Sequence, residues 1–312
     1  MLIVATILDA VKWTTYNDYQ GPVYRGSLKY NPKVPWSAWD RIVGCVARCE
    51  GAHDTVVMYD GTGITWGFQQ WTLTSGRLQK VFQYLKSIPY YDLNDETESS
   101  ETLFSRACVR NGKQIFEDFG FKIESGNFVE LPSGKILDPS FPAQKNRIVD
   151  ICLGKVKHPS SFAKQKDFAK ALCAESAIIA QFYGVPEAQA AYAKEELKRA
   201  LPVKRSPLGE FSTIENLLGN SLETAVSGLF FNLWQNNPGA AYKLFKTARY
   251  RLGNSSNNDQ YLKIAWQLLN NSGFGNWSYQ SGYHKKNGGT PRIVRIKAAI
   301  KEFYDLDLAI VK

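Results

Sequence analysis

Histidine is scarce in this chain, with three in 312 residues, at 53, 158 and 284. Five cysteines are scattered without a C-x-x-C pair. Together these shortages exclude a zinc site or a metal-dependent centre built on His and Cys, and no cofactor is implied. An odd cysteine count also argues against a disulfide framework, so each thiol is expected as a small buried hydrophobe. No apolar run is long enough to cross a bilayer; the N-terminal M-L-I-V-A-T-I-L-D-A is too short, and reads as a strand or an early helix. It also lacks the basic lead and small-residue cleavage site of a signal peptide. Helix-turn-helix, zinc-finger and ribonucleoprotein signatures are missing, so no specific nucleic acid is expected as partner.

What remains is an ordinary globular composition with two biases. Hydrophobic residues make up 44% and charged residues 21%, enough apolar material for one large domain or two smaller ones. The formal charge is +9, which suits a polyanionic partner. Aromatic residues reach 13%, with eight Trp and sixteen Tyr, a content that suits a sugar-binding groove as well as a core.

The chain is organised around residues 50–70, E-G-A-H-D-T-V-V-M-Y-D-G-T-G-I-T-W-G-F-Q-Q. A helix should precede it, capped by Ser37 with Asp40 three residues on as a capping box. Trp39, Val43, Val46 and Glu50 then share one stripe, with Ile42 and Ala47 at its edges. Gly51 follows as a helix terminator. Glu50 would thus face apolar surroundings at the negative end of a helix, which favours the neutral acid. A Gln there should leave stability unchanged or higher. Beyond it, Val56–Tyr59 and Ile64–Phe68 read as the strands of a hairpin, with Asp60-Gly61 and Gly63 in the turn. Asp60 should sit at the tip in water and stay ionised, with Thr65 on the returning strand able to hold a water. An acid opposite an ionised carboxylate is the machinery of glycoside hydrolysis.

The order Glu50-Gly51, Tyr59-Asp60 and Thr65-x-Gly67 resembles the active-site hairpin of phage-type (T-even) lysozymes, with Asp60 one residue later than usual. The continuation Gly67-Phe68-Gln69-Gln70 is similar to a stretch of goose-type lysozymes and lytic transglycosylases, with Gln70 at the matching glutamine. The resemblance implies an α+β, predominantly α fold of the lysozyme type: a small β-hairpin lobe, a large helical lobe and a cleft. It implies Glu50, Asp60 and Thr65 as catalytic residues. Tyr59, Trp66, Gln69, Gln70 and Trp71 are candidates for the substrate groove. For Trp66 and Trp71, strand alternation sends one toward the groove and the other into the core.

Along the rest of the chain, residues 1–36 read as an extended N-terminal arm and 37–201 as the catalytic region. Leu78, Val81, Phe82 and Leu85 mark a helix capped by Thr74 or Ser75 and stopped by Pro89. Three short strands over 121–138, in an insertion spanning 116–138, either extend the groove wall or decorate the fold. Helices are expected at 143–153, 161–183, 187–200, 213–235, 239–251, 258–271 and 291–304. The segment 202–212 is the linker candidate, and 213–312 a helical lobe. G-L-F-F-N-L-W-Q at 228–235 should be a central buried helix. Asp54 is a weaker second-carboxylate candidate, Glu175 is expected on an exposed helix edge, and the loop 273–284 is a carbohydrate-contacting or packed loop.

The function expected is therefore a muramidase that cleaves the β-1,4 bond between N-acetylmuramic acid and N-acetylglucosamine in peptidoglycan. The alternatives are a lytic transglycosylase, a chitosanase-like glycosidase, or a non-enzymatic virion or injection-machine protein, with the arm as its contact to such an assembly. Without a signal peptide the protein would be made in the cytoplasm, acting at the cell wall or periplasm or carried in a virion.

Overall fold

The structure, a computed structural model, describes residues 2–16, 19–92, 97–156, 164–204, 208–219, 222–270 and 292–308. In chain order it opens with a helix at Leu2–Ala10 (α1) and a strand pair at Lys12–Tyr16 and Tyr19–Tyr24 (β1, β2). Helix α2 (Ala38–Glu50) and the short strands Val56–Val57 (β3), Thr65–Trp66 (β4) and Trp71–Thr72 (β5) follow. Next come α3 (Arg77–Lys86), the pair Pro89–Asp92 and Thr97–Thr102 (β6, β7), α4 (Leu103–Cys108), and the pair Val109–Arg110 and Lys113–Gln114 (β8, β9). Strands Phe121–Glu124, Asn127–Glu130 and Lys135–Leu137 (β10, β11, β12) precede α5 (Pro142–Cys152), α6 (Gln165–Gln181) and α7 (Val185–Lys198). The last helices are α8 (Ile214–Leu217), α9 (Ala225–Trp234), α10 (Pro238–Leu252), α11 (Asn258–Asn270) and α12 (Arg292–Tyr304). Helix takes 54% and strand 14%, so the protein is α+β and predominantly α.

Two compact units share the chain discontinuously, one made of Met1–Lys29 and Gly51–Tyr192, the other of Tyr30–Glu50 and Ala193–Lys312. In the first, β1 to β5 form one antiparallel sheet in sequential order. Residues 1–36 are therefore not an extended arm. Gly21-Pro22, which reads as a loop signal, lies inside β2. Gly21 is there because the Met58 carbonyl passes where a Cβ would stand, 2.5 Å away. Pro22 needs only its carbonyl, which accepts from the Met58 amide at 3.0 Å.

The expected three-stranded meander is present as β10–β11–β12. It belongs to the core of its unit rather than decorating it. Phe121 stacks on Phe128 with centroids 4.6 Å apart and on Phe116 at 5.2 Å, and Phe116 meets Phe82 of α3 at 5.5 Å. Helix α3 buries Leu78, Val81, Phe82 and Leu85 as expected, but starts from Gly76 in the left-handed conformation rather than from a Thr74 or Ser75 cap.

The second unit is helical. The expected box closes the start of α2: the Asp40 carboxylate accepts from the Ser37 amide and hydroxyl, and Ser37 Oγ accepts from the Asp40 amide. Burial alone would raise the Asp40 pKa, but bonds from Lys194, Ser37 and Tyr30 outweigh it and hold the carboxyl down at about 2. The α2 stripe expected from periodicity is too narrow. Gly44, Cys45 and Cys49 are buried as well, because α9 and α12 both pack against the helix. The 213–235 helix is two pieces, α8 and α9, with Gly219 in the left-handed conformation after the first. Helix α9 is buried on nearly every side, as its composition requires. Leu208, inside the linker candidate, is fully buried, and residues 205–207 lie outside the described residues.

A Cβ on Gly44 would stand 2.2 Å from Cζ of Phe303, a ring held between Trp36 and Arg48. Gly44→Ala is therefore expected to destabilise by about 1–3 kcal/mol, despite Ala's better helix propensity. Phe303→Leu should recover part of the loss. Chemical denaturation of the three variants checks this.

Candidate functional site

The hairpin is shorter in strand and longer in loop than its residue types predict. Val57 pairs with Thr65 and Val56 with Trp66, leaving residues 58–64 as the loop, with Gly61 and Gly63 at positive φ. Asp60 begins an Asx turn, its Oδ1 accepting from the Thr62 amide at 3.2 Å and the Thr62 hydroxyl at 2.6 Å. Its Oδ2 accepts from the Thr65 hydroxyl at 2.8 Å, and the two threonine oxygens lie 2.6 Å apart. Asp60 is thus half-buried and ringed by hydroxyls, not a bare carboxylate at a tip. Thr65 itself is buried in the sheet. Thr62 was missed, although an Asp two residues before a Thr is a readable signal.

Glu50 ends α2, as expected, but it does not stand alone on an apolar stripe. Its Oε1 accepts from Nη2 of Arg292 at 2.5 Å and from the Asn236 side-chain amide. Both charged side chains are largely buried, at 11% exposure for Glu50 and 4% for Arg292. Arg292 Nη2 also donates to the backbone oxygen and Oδ1 of Asn232, whose own amide donates to the Cys45 carbonyl at 2.6 Å. Arg295 donates to the Cys49 carbonyl. Burial works against the Arg292 charge, yet Glu50 and Cys49 outweigh it and raise its pKa above the ordinary value. Neither Arg292 nor Asn236 was legible, since nothing local links them to position 50.

The groove candidates separate. Trp66, Gln69 and Trp71 are fully buried and present no face to a ligand. The Trp66 indole donates to the Ser176 carbonyl at 2.9 Å, and Trp71 packs on Phe68 and Tyr192. Alternation does not divide the two tryptophans, because they lie on neighbouring strands as direct partners and so share one face of the sheet. Gln70 takes φ 52° and spends its amide on the Gly67 carbonyl. Tyr59 is half-buried.

Asp54 is structural. Fully buried, it accepts from the amides of Ser27 and Leu28, the Ser27 hydroxyl and the Gln181 amide, tying 26–28 to α6. Glu175 pairs with Arg110 at 3.1 Å and is itself only 18% exposed. All five cysteines are buried and free, and burial pushes their pKa values up, as inert core residues. The loop 273–284 and His158 lie outside the described residues. Among the described residues no group of His, Cys, Asp and Glu could hold a metal ion, and no helix is long and apolar enough to cross a membrane. No family model, curated protein or solved structure matches the chain.

The ion pair reverses the stability expected for Glu50→Gln. Removing the carboxylate leaves the Arg292 charge buried without its counter-ion, a change that costs about 3 kcal/mol. A lower denaturation midpoint is expected for Glu50→Gln, with part of the loss recovered in Glu50→Gln/Arg292→Met.

A second change is expected with pH. His53, buried edge-on against Phe68, has its pKa lowered by burial from 6.5 to about 4. Above pH 6.5 both folded and unfolded chains hold neutral imidazole, and stability is full. Between 6.5 and about 4 the unfolded chain gains a proton that the folded one refuses, so stability falls with pH by up to about 3 kcal/mol. Denaturant midpoints should show this decline, and His53→Gln should flatten it.

Proposed function

We propose that the protein is a peptidoglycan hydrolase of the muramidase type, with Asp60 and Thr65 holding the water that attacks the sugar. The observation that carries the reading is the ring formed by Asp60, Thr62 and Thr65. Two hydroxyl protons serve three short oxygen contacts there, so the ring has acceptor capacity to spare. A water molecule bringing two protons is the natural guest, and a carboxylate beside it draws one proton away as the water attacks. The chemistry needs no cofactor, and the resemblance of Glu50-Gly51, Tyr59-Asp60 and Thr65-x-Gly67 to phage-type lysozymes points the same way.

A second reading is favoured by the Glu50–Arg292 pair. A buried ion pair between helix ends is also what a purely structural pin looks like, as expected of a non-enzymatic component with a lysozyme-like hairpin.

Clearing of purified peptidoglycan distinguishes the two, assayed well below each variant's melting temperature. Asp60→Asn is expected to lower the rate by orders of magnitude, because it removes a base and a charge at the reacting centre. Thr65→Val keeps the shape and loses a hydroxyl, so a smaller loss is expected. Reducing-end sugar marks hydrolysis, and a 1,6-anhydro sugar would mark a transglycosylase instead. Full activity in Asp60→Asn would sink the assignment, and no clearing by the wild type would favour the structural role.

A further inference from the structure

The net positive charge of this protein falls in one unit. Met1–Lys29 with Gly51–Tyr192 holds 18 Lys and Arg against 18 Asp and Glu, a net of zero. Tyr30–Glu50 with Ala193–Lys312 holds 20 against 11 and so accounts for the whole +9. Within it, α10 (P-G-A-A-Y-K-L-F-K-T-A-R-Y-R-L) carries four basic residues and no acidic one.

Helical spacing gathers that charge around an exposed aromatic ring. Ala241, Tyr242, Leu244, Phe245, Ala248 and Leu252 face the core. Lys243, Lys246 and Tyr250 then fall on the opposite stripe, with Arg251 beside it. Tyr250 is 53% exposed, yet its ring is fixed in place. Its hydroxyl bonds Glu210, Phe211 stands 6.3 Å from its centroid, and the Lys246 ammonium lies over the ring at 5.6 Å. Gly209 lies alongside, at φ 66°, a backbone conformation that favours glycine.

We propose that this face of α10 is an accessory docking surface for a carboxylate-bearing glycan. The inference rests on the peptidoglycan reading above and places wall attachment on α10, on residues separate from the reacting groups. A fixed tyrosine ring offers a flat apolar face to a sugar ring, and Lys243, Lys246 and Arg251 meet sparse carboxylates along the polymer. Glu210 decides between polyanions. A phosphodiester chain brings a charge at every unit and is repelled by a carboxylate at the ring's edge. A glycan with spaced carboxylates leaves neutral hydroxyls there for Glu210 to accept from.

The test is co-sedimentation of the full chain with insoluble peptidoglycan across a salt series, in an Asp60→Asn background to limit substrate consumption. Lys243→Gln/Lys246→Gln/Arg251→Gln is expected to weaken binding about tenfold and to flatten its salt dependence. Tyr250→Ala should weaken it several-fold with the salt dependence kept. The charge-matched control Lys113→Gln/Lys135→Gln/Lys145→Gln, three exposed positions in the neutral unit, should bind as its parent does. Melting temperatures confirm that every variant is folded. Equal loss in the control would overturn the proposal in favour of net charge alone. Duplex DNA bound as tightly as peptidoglycan through the same residues would overturn it in favour of a nucleic-acid surface. Cleavage by Asp60→Asn would sink the muramidase reading, while the binding comparison among variants would still stand by itself.

Discussion

The interaction on which the helical unit depends is the ion pair between the last residue of α2 and the first residue of α12. A glutamate at a helix C-terminus opposes the helix dipole, and an arginine at a helix N-terminus opposes it in the other sense. Joined end to end, each corrects the other: Glu50 places its anion at the start of α12, and Arg292 places its cation at the end of α2. Arg295 on the Cys49 carbonyl and Asn232 on the Cys45 carbonyl complete the arrangement from α12 and α9. Three helices are thereby fixed at one point, and Gly44 and Gly228 allow their close approach elsewhere along the contact.

That pair also defines the tension in any catalytic role for Glu50. A general acid needs a free path to the substrate oxygen, and Oε1 of Glu50 already accepts from Arg292 and Asn236. Such a role would require a bound sugar to draw Glu50 away from Arg292. The hairpin bears no such tension. Its carboxylate is held by two hydroxyls and the Thr62 amide, groups that orient an anion without bringing a counter-charge.

The neutral unit and the basic unit divide properties that the composition presents as one average. A +9 chain reads as a diffusely basic protein, but the net charge lies in one unit, where α10 turns Lys243, Lys246 and Arg251 outward around Tyr250. Since exposed charges act over about 8–10 Å at ordinary ionic strength, such a cluster matters to a partner far more than the same number spread over the surface.

Local rules by themselves determined most of the elements. The capping box of Ser37 and Asp40, the turn signals between β10, β11 and β12, and the apolar composition of α9 all act within a few residues, so they were legible without a fold. The α+β class and the position of Glu50 at a helix end follow from the same short-range physics. What tertiary structure alone decided was the environment of each candidate. Arg292 reaches Glu50 across 242 positions of sequence, and no periodicity encodes that meeting. Trp66 and Trp71 meet as a cross-strand pair of β4 and β5 on one face, and Ser176 of α6 and Tyr192 help to bury them there, a covering that alternation could not assign. Gly21-Pro22 reads as a loop by propensity and lies in a strand because Met58 passes close by. Sequence fixes which groups are near one another along the chain. Only packing decides which of them lose water, and that loss decides the chemistry open to a carboxylate, an imidazole or an indole.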